Sequence, residues 1–217
     1  MMSAALLATA APALAQPAEP KPSRFELGIG AEWVGRAGLG DTSATETTST
    51  GARTALFTMS SELAGAAAIT ARAGVRIARA WRVEAAASYA RPQLRVALSG
   101  DTEGAAPVTA AESIQQYMIG GDVLWMVPLR RPRIEPFLLG GGGYLRQLHE
   151  TATLVESGRY FEVGGGVSWL LSSGRHLHTA GAGLRLDARA VVRSQGVAFD
   201  GGSRTSPAAG ASLFVRC

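Results

Sequence analysis

The stretch "FELGIGAEWV" (Phe25–Val34) has two counterparts further along the chain, "YMIGGDVLWM" (residues 117–126) and "FEVGGGVSWL" (residues 161–170). All three follow one frame: aromatic-x-apolar-Gly-x-Gly/Asp-apolar-x-Trp-apolar. "FLLGGGGYL" (residues 137–145) repeats it with leucine in the tryptophan place, and "HTAGAGLRLD" (residues 178–187) follows it more loosely. The frame fixes alternate positions, and a period of two belongs to a strand, not to a helix. The four glycines Gly140 to Gly143 therefore read as strand. A phosphate-cradling loop would need a Gly-x-Gly-x-x-Gly or Gly-x-x-x-x-Gly-Lys-Ser/Thr spacing opening a helix, and the chain's one lysine is Lys21.

In a strand, residues i, i+2 and i+4 share a face. Sorted this way, eight segments emerge, at about 25–34, 67–79, 81–98, 113–127, 134–148, 158–171, 177–193 and 207–217. One face is free of Asp, Glu, Lys and Arg throughout. It includes Leu27, Ile29 and Ala31, then Ile119 and Val123, and in the fifth segment Phe137, Leu139, Gly141, Gly143 and Leu145. The opposite face carries Glu26, Glu32, Arg72, Arg76, Arg82, Glu84, Asp122, Arg146, Glu162, Arg185, Asp187, Arg189 and Arg216, interleaved with glycines.

Two architectures can use such faces. A soluble barrel would bury the apolar face; a membrane barrel turns it to lipid and the polar face to the lumen. Aromatic spacing separates them. Phe25 and Trp33, Trp81 and Tyr89, Tyr117 and Trp125, and Phe161 and Trp169 are pairs eight residues apart on the apolar face, and Phe137 starts the same interval with Leu145. At about 3.3 Å per residue and a tilt near 40°, that interval rises about 20 Å, close to the spacing of two aromatic girdles around an apolar band of roughly 25 Å. All four tryptophans stand at such ends, where an apolar body with a polar tip suits a membrane interface.

Segment spacing gives the same answer independently. Connections after the second, fourth and sixth segments are short, the others long and rich in Ser, Thr, Gly and Asp. Short periplasmic turns with long outer loops are the topology of an outer-membrane barrel. A shift of the apolar register at Pro92, from Tyr89 to Leu94 and Val96, predicts a bulge there. "LFTMSSELAG" (residues 56–65) alternates too and predicts an upward extension of the second strand.

Composition bounds the remainder. The chain has 217 residues, 27 glycines, 18% charged residues and a net charge of +4, enough for one domain. The basic residues are dispersed arginines, which argues against a nucleic-acid partner. One cysteine, Cys217, excludes an internal disulfide, and no Cys/His spacing suggests a metal or cofactor. Residues 1–15, with an apolar stretch and Ala13-Leu14-Ala15, read as a cleaved signal peptide; residues 16–23 then form a periplasmic linker and 24–217 the barrel.

On these residues the chain resembles the small outer-membrane β-barrels of the OmpA/OmpX-like type from Gram-negative bacteria, over essentially residues 16–217. The resemblance implies an all-β, eight-stranded antiparallel up-and-down barrel, monomeric, in the outer membrane. It also implies contact with outer-membrane lipids and lipopolysaccharide, and recognition by the barrel-insertion machinery. Members usually end in Phe after alternating apolar residues; here Ala209, Ala211, Leu213 and Val215 lead to Cys217.

For function, the inward charges read as a salt-bridge network filling a narrow lumen, giving a structural, adhesive or surface-interaction role without catalysis. The alternatives are a small-solute or ion pore and an outer-membrane lipid-modifying enzyme. For the last, His149 with Glu150 and Glu156 at an outer loop is the candidate base, with His176 and His178 near an inner turn; no Gly-x-Ser-x-Gly accompanies them. Outward loop arginines (Arg36, Arg53, Arg91, Arg95, Arg159, Arg193 and Arg204) suit lipopolysaccharide phosphates.

Overall fold

A computed structural model describes residues 24–47, 49–100, 106–129, 133–149, 154–172, 181–196 and 202–217. The signal-peptide and linker readings, Glu150 and the histidines at 176 and 178 fall outside these residues.

The described chain is strand throughout its regular elements: β1 (Phe25–Val34), β2 (Ala37–Thr47), β3 (Arg53–Leu63), β4 (Ala66–Arg76), β5 (Trp81–Ala90), β6 (Gln93–Ser99), β7 (Val108–Met126), β8 (Ile134–His149), β9 (Val155–Ser172), β10 (Gly181–Gln195) and β11 (Arg204–Arg216). Eight of them close on themselves. β1 pairs with β4 and β11, the ladder runs β4-β5-β7 on one side and β11-β10-β9-β8 on the other, and β7 pairs with β8 to shut the barrel. Every pairing is antiparallel. Closure leaves no open edge within the barrel, as hydrocarbon requires. At the seam Phe25 and Cys217 exchange both backbone hydrogen bonds, 3.2 and 3.0 Å.

The other three strands make a rim. β2, β3, β6 and the outer half of β7 form a sheet in that order above β1, β4 and β5. β2 and β3 have 11 residues each, so at about 3.3 Å per residue they extend about 35 Å. β3 is the predicted upward extension of the second strand. The segment between β1 and β3, read from sequence as loop, is the strand β2.

The predicted bulge at Pro92 is absent. Ala90 stands opposite Gln116 and Gln93 opposite Ser113, one unbroken register, and the Pro92 carbonyl accepts from the Ile114 amide at 2.9 Å. The extra residue lies on the neighbouring strand, at Ala64 and Gly65, where Ala64 N–H donates to Gln93 O at 2.8 Å. Leu94 and Val96 keep the inward parity of Glu84 and Ala90. Apolar residues change apparent face because the surroundings invert: beside the bilayer, outside is apolar; in the rim, inside is. There Ala37, Leu39, Leu63, Leu94 and Ile114 bury one another, with Val96 against them.

The outer wall of the barrel is apolar and exposed: Leu27 is 55%, Ile29 63%, Ile69 64%, Ile119 63%, Val163 63% and Leu213 61% accessible. Water does not tolerate a continuous belt of this kind on a monomer, and the soluble-barrel alternative fails on it. No helix among the described residues is long and apolar enough to cross a membrane; the crossing elements are strands.

Candidate functional site

Glycine and alternation together build the lumen. Glycines make room for several large inward side chains: a Cβ on Gly120 would overlap the Tyr160 hydroxyl, one on Gly183 the Phe214 ring, one on Gly164 the Arg189 stem. Into this space the strands send charged side chains in two layers.

The inner layer joins Glu26 and Glu135 to three arginines. Arg82 Nη1 donates to Glu26 Oε1 at 2.5 Å and Arg216 Nε to Glu26 Oε2 at 2.8 Å. Arg216 Nη2 donates to Glu135 Oε2 at 2.5 Å and Arg76 Nη2 to Glu135 Oε1 at 3.3 Å. The central layer is centred on Arg189, which reaches Glu32 (2.5 Å), Glu162 (2.8 Å) and Asp187 (2.8 Å). Arg185 donates to Glu84 at 2.7 Å, and Arg72 lies within 3.5 Å of Glu84 and Asp187 and 3.7 Å of Glu32. Asp122 is buried, and among the described residues no arginine donates to it.

Two apolar clusters pack with these charges. Leu124, Met126, Phe137 and Leu139 cluster toward the inner end, and Met118, Leu145, Tyr160, Val191 and Ala208 above the central layer. The cavity lined by Glu32, Arg72, Met118, Tyr160, Glu162 and Arg189 has only about 10 Å³ for water, which is about one molecule.

Of the thirteen charged residues read as inward, Glu26, Glu32, Arg72, Arg82, Glu84, Asp122, Glu162, Arg185, Asp187, Arg189 and Arg216 are buried and Arg76 is half-buried. Arg146 is not among them: it is exposed on the outer wall. Its strand is read inside out from sequence. Phe137, expected in the outer girdle, is 2% accessible, and Leu139 and Leu145 are buried with it, while Leu138 and Tyr144 are exposed. Gly141, between inward Asp122 and inward Glu162 in the ladder, faces the lumen; Gly140 and Gly142 face outward. The physical reason is that Phe137-Leu138-Leu139 is apolar at both parities and four glycines have no side chain to mark a face. Only pairing with β7 and β9 chooses.

Sequence reading also missed Glu135, which joins the inner layer, and misplaced Arg193, an outer-loop arginine by position but buried beneath the rim. The parity of β10 holds the signal for the second: Arg185, Asp187, Arg189 and Arg193 alternate. With these changes the inward charges below the outer mouth become, among the described residues, seven arginines against seven carboxylates, Glu135 and Arg193 entering and Arg146 leaving.

The remaining girdle residues face outward. Phe25, Trp33, Trp81, Tyr117, Trp125, Phe161 and Trp169 are exposed, and Tyr89 is half-buried against Tyr117, with ring centroids 5.0 Å apart. Trp81 stands opposite Trp125, and Tyr89 opposite Tyr117.

At the outer mouth His149 Nδ1 lies 3.1 Å from Glu112 Oε2, and Nε2 lies 3.9 Å from Glu156 Oε1. The first carboxylate comes from β7 and could not be inferred from the local sequence. The imidazole is thus held between two carboxylates, and among the described residues no hydroxyl or thiol bonds to it. No group of His, Cys, Asp and Glu among the described residues has metal-binding geometry.

No family model matches the chain, and no curated protein matches it. Solved structures do. Neisserial surface protein A aligns over 88% of this chain and 95% of its own, at 15% identity and a TM-score of 0.52. The outer membrane protein OprG from Pseudomonas aeruginosa covers 89% and 96%, at 11% and 0.48. Ail, the attachment invasion locus protein of Yersinia pestis, covers 88% and 98%, at 10% and 0.40. The first likeness concerns the fold. With the closed eight-stranded barrel, the exposed apolar belt and the charged interior, the chain has the architecture of a small eight-stranded outer-membrane β-barrel of the OmpA/OmpX-like type.

Proposed function

We propose that this barrel is a membrane-anchored surface-interaction protein, whose lumen is structural and whose rim is the contacting element. The observation carrying this reading is the rim sheet β2-β3-β6-β7, which stands above the barrel on its own apolar cluster. A barrel serving only as a membrane plug has no use for a second core outside the bilayer. The packing at the central charged layer supports the same reading, since the cavity there has space for about one water beneath the apolar cluster of Met118, Leu145 and Tyr160. Catalysis at His149 lacks support, because a base between two carboxylates still needs a nucleophile and an oxyanion donor.

The test has two arms. Planar bilayers containing the refolded protein should show no single-channel steps. Cells expressing a variant in which residues 37–63 are replaced by a short turn should lose adhesion to surfaces or to one another, while the barrel still shows heat-modifiable mobility. Undiminished adhesion by that variant, or regular channel steps from the intact protein, would overturn the reading.

A further inference from the structure

Among the described residues, the outer wall carries two neighbouring arginines near its outer edge on β8 and β9. On β8 and β9, Tyr144 stands opposite Arg159 and Arg146 opposite Ser157; on the other side Arg146 faces Tyr117 of β7. All five side chains are exposed on the outer wall. Arg146 and Arg159 are diagonal neighbours, a relation that places such residues about 7–8 Å apart and within reach of a common group. The other diagonal is tied by Tyr144 Oη donating to Ser157 Oγ at 2.5 Å. Among the described residues neither arginine has a carboxylate in ion-pair range. The acids of these strands are turned elsewhere: Glu112 and Glu156 to His149, Glu162 to Arg189, Glu135 to Arg76 and Arg216, and Asp122 into the lumen.

Beside Arg146 a groove of about 410 Å³ opens between Tyr117, Ile119, Tyr144 and Leu148. Where hydrocarbon gives way to headgroups an arginine extends its guanidinium to the polar layer, and its planar fork suits phosphate oxygens. We propose that Arg146 and Arg159 hold the phosphate of an anionic outer-leaflet lipid of the lipid A class, with one of its acyl chains in the groove beside them. The groove selects a lipid over a free anion, because a soluble phosphate would engage the two cations and leave the apolar walls unused.

The test uses the refolded full barrel in phosphatidylcholine nanodiscs containing diphosphorylated or dephosphorylated lipid A, with lipid retained after detergent extraction counted by native mass spectrometry. Wild-type protein should retain the diphosphorylated form, and R146A/R159A should lose about tenfold or more of that retention, as expected for charge-assisted bonds. R146K/R159K should be intermediate, because lysine keeps the charge without the fork. Millimolar inorganic phosphate should not displace the lipid, and a rim-shortened protein should bind as well as wild type. Heat-modifiable mobility reports the folded fraction; if the double variant does not refold, R146Q and R159Q singly should each lose part of the retention. Equal retention by folded arginine variants, equal retention of dephosphorylated lipid A, or displacement by inorganic phosphate would each overturn the proposal.

Discussion

Arg185 lies across the ring of Phe137 inside the barrel, its Cζ 4.4 Å from the ring centroid. The same guanidinium donates to Glu84 at 2.7 Å, so an aromatic face and a carboxylate hold one buried cation from β8 and β5. Desolvated cation–π contacts of this kind contribute about 2 kcal/mol.

Phe137→Ala should therefore cost about 3–5 kcal/mol, combining a lost ring with a loosened arginine. Leu138→Ala, on the lipid side, should cost far less, since lipid replaces the lost contacts. Equilibrium urea unfolding of the refolded barrel measures both. The reverse order would return β8 to the register read from sequence.

Gly140 and Gly141 form a sharper pair. A Cβ on Gly141 would overlap Asp122 Oδ1 and the Gly121 carbonyl, whereas at Gly140 the nearest atom is Glu162 O at 4.0 Å. Gly141→Ala should destabilise by about 1–3 kcal/mol through overpacking. Gly140→Ala should be neutral or stabilise by up to about 1 kcal/mol, by restricting the unfolded chain. Urea midpoints of the two variants, compared at equal m-value, decide it.

Arg189 neutralises three carboxylates from three strands, Glu32, Glu162 and Asp187. Removing it leaves buried like charges together, so Arg189→Ala should cost about 3–5 kcal/mol. Adding Glu32→Gln and Glu162→Gln to that variant should recover part of the loss. A triple variant no more stable than the single one would contradict the hub arrangement.

The apolar layer above the central charges makes a prediction about conduction. Replacing Met118, Leu145 and Tyr160 by Ala together removes much of that layer and should open a water path past Arg189. Planar-bilayer recordings should then show small channel steps that the wild-type protein lacks. Silent bilayers from a triple variant shown to be folded would locate the barrier in the charged layers instead.

Legibility followed the physics of each element. β1, β5, the inner half of β7 and β9 alternate a charge or glycine with an aliphatic or aromatic residue, and their faces are plain before any pairing is known. β8 is opaque because Gly140 to Gly143 give no contrast and Phe137 to Leu139 give it at both parities. The rim was legible in β3 but not in β2, whose Ser and Thr residues suit strand and loop alike. At Pro92 the pattern changed while the backbone register did not, since the medium outside the strand changed from lipid to water.

Glu112 and Glu135 illustrate the limit for the site. Each is one carboxylate among many in the chain, and its partner, His149 or Arg216, lies on a different strand. Alternation says which wall a side chain leaves, not which side chain it meets across a barrel.

The sequence by itself determined the eight-stranded membrane barrel, because a strand between lipid and lumen must alternate, and aromatic residues eight apart mark the two interfaces. The tertiary structure alone decided the sense of β8, the inward course of Phe137 and Arg193, the outward course of Arg146, and the pairing of the buried charges. Those choices depend on register between strands distant in sequence, where one residue of slip exchanges the two faces.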